Sequence, residues 1–77
     1  MNKKRRNEIR KGIKQLDEAI DTITYVKEEE YDSMDSIEEH FENDPRCDDM
    51  AMNIDDMESA IDSMRDAKDI LEEMLSN

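Results

Sequence analysis

Residues 47–75 read CDDMAMNIDDMESAIDSMRDAKDILEEML. Within them Cys47, Met50, Ile54, Met57, Ile61, Met64, Leu71 and Leu75 recur at alternating spacings of three and four, with Lys68 standing in one slot of the series. Apolar side chains that return every ~3.5 residues over four heptads fall on one narrow stripe of an α-helix, the seam of a coiled coil. A disordered acidic segment carries no such period. Upstream the same spacing runs through Ile9, Ile13, Leu16, Ile20, Ile23, Met34, Ile37 and Phe41, interrupted by Lys27 and Glu30. The chain therefore reads as two helices, about 3–43 and 46–76, joined by a turn at 43–45, in a single domain over residues 1–77.

The punctuation between the two series supports that division. Pro45 disfavours a helical Asp44 and is well tolerated in the first position of a new helix, so Asp44 is the expected N-cap of helix 2. Asp48 and Asp49 then lie near that helix's positive end. A connection of two or three residues forces the helices to return antiparallel, and no strand pattern occurs, so the expected fold is an all-α, antiparallel two-helix hairpin. A register placing Phe41 opposite Cys47, Ile20 opposite Lys68 and Lys27 opposite Ile61 leaves Lys68 within reach of Asp17 or Asp21, and Lys27 within reach of Asp62. It also lays the basic start of helix 1 beside Asp69, Glu72 and Glu73, where charges unfavourable to each helix's own dipole offset one another.

Beside each seam runs a second column of mostly small residues: Gly12, Ala19 and Val26 on helix 1, Ala60, Ala67 and Met74 on helix 2. Either the pair packs tightly through the alanines or two hairpins dimerise into a four-helix bundle. The second arrangement is expected, because 77 residues bury too small a fraction of their surface for comfortable stability. The usual staples are missing, since Cys47 is the one cysteine and His40 the one histidine. Met34, Met50, Met57 and Met64 fall on the seam as adaptable core filler.

Charge is sorted along the chain. Residues 1–14 hold seven of eleven Lys and Arg, whereas the remainder holds twenty-two of twenty-three Asp and Glu. From residue 15 onward the cations are Lys27, Arg46, Arg65 and Lys68, too few to alternate with the acids as on an ordinary solvated helix. Asp48, Asp55, Asp62 and Asp69 recur every seven residues on helix 2, and Glu18, Asp21, Glu28, Glu29, Asp32, Asp35, Glu39 and Glu42 form a comparable ridge on helix 1. Duplex DNA carries about one phosphate charge per 1.7 Å, so an acidic rod of this kind suits a basic groove built for nucleic acid. The candidate partner-binding residues are Glu28, Glu29, Asp32, Asp35, Glu39, Asp55, Asp62 and Asp69. The basic start is an alternative nucleic-acid arm.

Motifs for catalysis, metals and cofactors are missing. Glu42-Asn-Asp-Pro-Arg-Cys-Asp-Asp lacks the Gly turn of a Ca²⁺ loop, and Ile37 stands where a bundle di-metal site needs a Glu three residues before His40. Cys47 and His40 could approach across the turn, yet nothing supplies an oxyanion hole or pocket. No cofactor, no catalysis and no membrane association are expected. Without a signal peptide or membrane span the chain reads as cytoplasmic, with Cys47 reduced.

Lys27-Glu-Glu-Glu-Tyr31-Asp-Ser-Met34, and after the turn Ile54-Asp-Asp-Met57-Glu-Ser-Ala60-Ile61-Asp-Ser-Met64, are similar to stretches of small acidic helical-hairpin proteins encoded by phages and prophages of Gram-positive bacteria. Those proteins have a basic start of the type R-R-x-x-I, an acidic run ending in Y-D-N-M and heptads of the type A-I-D-x-L-E-x-A. Asp35-Ser36 stands where the family has Pro-Glu, which leaves two alternatives for helix 1: a break there or an unbroken run. The resemblance implies a phage-borne accessory protein acting in the host cytoplasm, and such acidic proteins are often inhibitors of host nucleic-acid-binding machinery. The expected function is non-enzymatic inhibition of a host protein with a basic surface, such as a defence nuclease, a CRISPR effector or a regulator. The competing expectation is a structural or adaptor coiled coil that recruits a partner helix through its apolar seam.

Overall fold

The computed structural model describes all 77 residues, most of them in two long helices, α1 (Lys3–His40) and α2 (Pro45–Ser76). They pack against each other along a rod with extents of 58 × 14 × 13 Å. Helix α1 opens on Asn2, whose side chain accepts a hydrogen bond of 2.8 Å from the Arg5 amide. It runs unbroken through Asp35-Ser36, because nothing there removes a backbone donor as proline would.

The turn differs from the expected one. Helix α1 stops at His40, three residues early, and the connection spans residues 41–44. Phe41 takes an extended conformation (φ −139°, ψ 108°) while its amide still donates to the Ile37 carbonyl, and Asn43 adopts φ 56°. Asparagine is among the few non-glycine residues that accept this left-handed region at low cost. Asp44 then caps α2 as anticipated, with Pro45 in the first turn. Its carboxylate accepts from the Arg46 amide (2.9 Å) and from the Arg46 guanidinium (2.8 and 3.1 Å).

Because the turn is centred earlier in the chain, the register is displaced by about one helical turn from the expected one. The Cys47 thiol faces the Met34 carbonyl at 4.0 Å instead of meeting Phe41, which is exposed beneath the Arg46 guanidinium. Lys27 pairs with Glu58 (3.8 Å), not Asp62, and Asn53 donates to Glu30 (3.0 Å). Lys68 does reach Asp17, at 2.7 Å, and also lies 3.7 Å from Glu72. Both seam lysines are therefore half-buried along their stems with the ammonium carried out to a carboxylate.

Ile20, Ile54 and Ile61 are the buried core, Ile61 most deeply at 3% exposure. The seam methionines Met34, Met50, Met57 and Met64 are half-buried around them. The small-residue column is used only in part inside the hairpin: Gly12 and Ala19 are half-buried, whereas Ala60 and Ala67 are exposed and Val26 is 42% exposed. A Cβ built on Gly12 meets nothing within 4 Å, so Gly12 permits no close approach within the hairpin. Gly12→Ala is thus expected to stabilise the chain by about 1 kcal/mol through helix propensity, read as a raised urea midpoint with an unchanged slope.

The basic start lies beside the C-terminal end of α2, as expected. No ion pair joins it to Asp69, Glu72 or Glu73. Its contact with α2 is a hydrogen bond from the Arg6 guanidinium to the Leu75 carbonyl, one of the free acceptors at the helix C-terminus. Lys3, Lys4, Arg5, Arg10, Lys11 and Lys14 have no carboxylate partner.

The hydrogen bonds from Arg46 hold the Asp44 carboxyl below its ordinary value of 3.8. A carboxyl lowered in the folded state stabilises it above the unfolded value, and that contribution is lost as pH falls through the folded one. The difference in melting temperature between the native chain and Asp44→Asn is accordingly expected to be full at pH 6 and to shrink below about pH 4, followed by circular dichroism.

Candidate functional site

Labelling the seam positions a and d places Ile13, Ile20, Lys27 and Met34 at a in α1, and Cys47, Ile54, Ile61, Lys68 and Leu75 at a in α2. Column b then sits beyond column e on one side of each helix, and column c beyond column g on the other. Reversing one helix against its partner keeps both e columns on the same side of the seam. The ion pairs agree, because Asp17 and Glu58, both at e, reach seam lysines of the opposite helix.

One long side of the rod therefore carries both b columns. On α1 these are Asn7, Lys14, Asp21, Glu28 and Asp35; on α2, Asp48, Asp55, Asp62 and Asp69. All of them are exposed, and within each column the carboxylates repeat at about 10 Å, seven residues at 1.5 Å each. Two shallow grooves run between the columns. One is lined by Lys27, Glu28, Tyr31, Asp32, Ile54 and Glu58, the other by Thr24, Lys27, Glu58, Ile61, Asp62 and Arg65.

Of the candidate residues, Glu28, Asp35, Asp55, Asp62 and Asp69 come together on this side, and Asp32 joins them at the groove beside Tyr31. Glu29 lies on the opposite side and Glu39 on the back of α1, facing away from α2. Asp21 and Asp48 belong to the acidic columns although neither was among the candidates, and their seven-residue spacing from Glu28 and Asp55 was the signal that could have found them. Tyr31 was also missed. The residue is 51% exposed among the acids and offers an incoming arginine a ring to stack on.

Elsewhere the chemistry is quiet. Desolvation, reinforced by Glu38 and Asp44, raises the Cys47 thiol above its ordinary value, so it is protonated and poorly nucleophilic at neutral pH. His40 is exposed in the last turn of α1, where a cation suits the helix dipole. No three His, Cys, Asp or Glu residues are grouped closely enough to hold a metal ion, and no helix is long and apolar enough to cross a membrane. No family model, curated protein or solved structure matches this chain.

Proposed function

We propose that this is a non-enzymatic phage or prophage protein that binds and inhibits a host protein in the host cytoplasm by occupying a basic, nucleic-acid-binding surface. The observation that carries the reading is the gathering of two columns of exposed, unpaired carboxylates on one side of a rigid rod. A groove shaped for a nucleic-acid backbone presents Lys and Arg along its length, and such a face answers it with charge repeated over tens of ångströms. The helices hold the carboxylates in place before binding, which lowers the ordering cost of association. The adaptor alternative loses ground because the seam it would offer to a partner helix is already filled by the chain's own second helix, with Ile54 and Ile61 buried.

The test is a pull-down from a Gram-positive bacterial lysate with the tagged full chain. The expected partner is retained at about 50 mM salt and released both by about 500 mM salt and by excess duplex DNA. A partner that stays bound under both treatments counts against the proposal.

A further inference from the structure

The side of the rod opposite the acidic columns has a different character. Over its middle it presents Gly12, Gln15, Ala19, Thr22 and Val26 from α1 and Ala60, Ser63, Ala67, Ile70 and Met74 from α2, so that columns g and c hold no charged residue over this span. Ile70 is 67% exposed and Met74 37%. In a chain with 44% charged residues, an uncharged stretch of this length with exposed aliphatic side chains is a covered surface in some state of the molecule.

We infer that this face binds a second copy of the chain, antiparallel, about a two-fold axis at Ala19 and Ala67. Charge decides the orientation. With that axis, residues 3–11 of one copy lie at the level of residues 27–35 of the other. The unpartnered Lys4, Arg5 and Lys11 then come to the level of Glu29 and Asp32 of α1 in the second copy. Parallel stacking would instead set the two acidic turn ends side by side, Asp35, Glu38 and Glu39 of one copy against Asp48 and Asp49 of the other. The small residues at the axis let the helices approach closely, which gives a role to Ala60 and Ala67, both exposed in the single hairpin.

The area suffices. Ala19 lies near the middle of α1, so antiparallel copies overlap along nearly the whole rod. A face of 58 × 14 Å offers on the order of 800 Å² per copy, the size of a standard stable interface. The need is equally clear, because one hairpin buries just Ile20, Ile54 and Ile61 and has neither a disulfide nor a metal. The acidic columns of both copies stay on the outside of the resulting four-helix bundle.

The experiment is sedimentation equilibrium of the full chain between 1 and 100 μM, values on the order of those covering most homodimer constants. A species of twice 9.1 kDa is expected, and a single 9.1 kDa species throughout overturns the inference. The two-fold axis makes one substitution act twice. Ala67→Glu places two like charges face to face and is expected to weaken the dimer on the order of 100-fold while the chain stays helical. Ser59→Glu on the back of α2 should leave it unchanged. Equal dimerisation of Ala67→Glu and the native chain overturns the placement of the axis. For orientation, a nitroxide on Ser36→Cys, in a chain carrying Cys47→Ala, should report a separation of about 50 Å between copies. A separation under about 25 Å means parallel stacking and overturns the antiparallel arrangement.

Discussion

Ile61→Ala is expected to lower the melting temperature by about 15 °C at fixed protein concentration, the largest loss from any single truncation in the chain. Ile61 is the most buried side chain of the hairpin, at 3% exposure, and stands on the seam between Ile54 and Lys68. Removing three carbons from such a site forfeits their transfer free energy and leaves a cavity that two helices, held at a fixed distance by Ile54 and the methionines, close only in part. Such truncations cost about 3 kcal/mol, against a total of roughly 4 to 12 kcal/mol for a domain of this length. Met52→Ala is the control, because Met52 is 64% exposed on the outer surface of α2 and should shift the transition by less than about 2 °C. Equal effects of the two substitutions would mean that the seam does not hold the helices together.

The seam was legible in the sequence because a single periodicity governs it. Residues at a and d are dictated jointly by helix geometry and by water, so their spacing survives substitutions as unlike as Ile for Met or Lys for Leu. The register was not, for a reason local to Phe41, Glu42 and Asn43. Those residues continue the helical pattern well enough to read as a last turn of α1, yet Phe41 is extended and Asn43 enters the left-handed region. Asn43 is the kind of residue that terminates helices in this way, and giving it that weight would have moved the turn to 41–44 and the register with it. The basic start shows a second limit. The register and the charges placed it beside the acidic end of α2, whereas the one bond formed there runs from Arg6 to a backbone carbonyl, an acceptor that composition does not display. The acidic face fell between these cases: spacing identified the columns on each helix, but which columns share a side depends on the antiparallel pairing.

Replacing Glu28 with Gln and Asp55, Asp62 and Asp69 with Asn is expected to weaken association with the basic partner by roughly 10- to 1000-fold at low salt, if each exposed ion pair contributes about 0.2 to 1 kcal/mol and the first contacts also steer encounter. The carboxylates belong to the b columns of one side, and all four are exposed and free of intramolecular ion pairs. Their removal therefore leaves the hairpin's own contacts intact, and circular dichroism should show unchanged helicity. The decisive comparison removes the same charge elsewhere. Glu18→Gln, Asp49→Asn, Asp66→Asn and Glu73→Gln lie on the back or on the opposite side, outside the acidic columns. If net charge alone attracts the partner, the two quadruple variants lose affinity equally. If a face is recognised, the first loses most of its binding and its salt dependence flattens, while the second keeps the native salt slope with a small loss of on-rate. The contrast should be largest near 50 mM salt, where the screening length exceeds the ~10 Å repeat of each column, and should fade toward 1 M, where screening falls to about 3 Å.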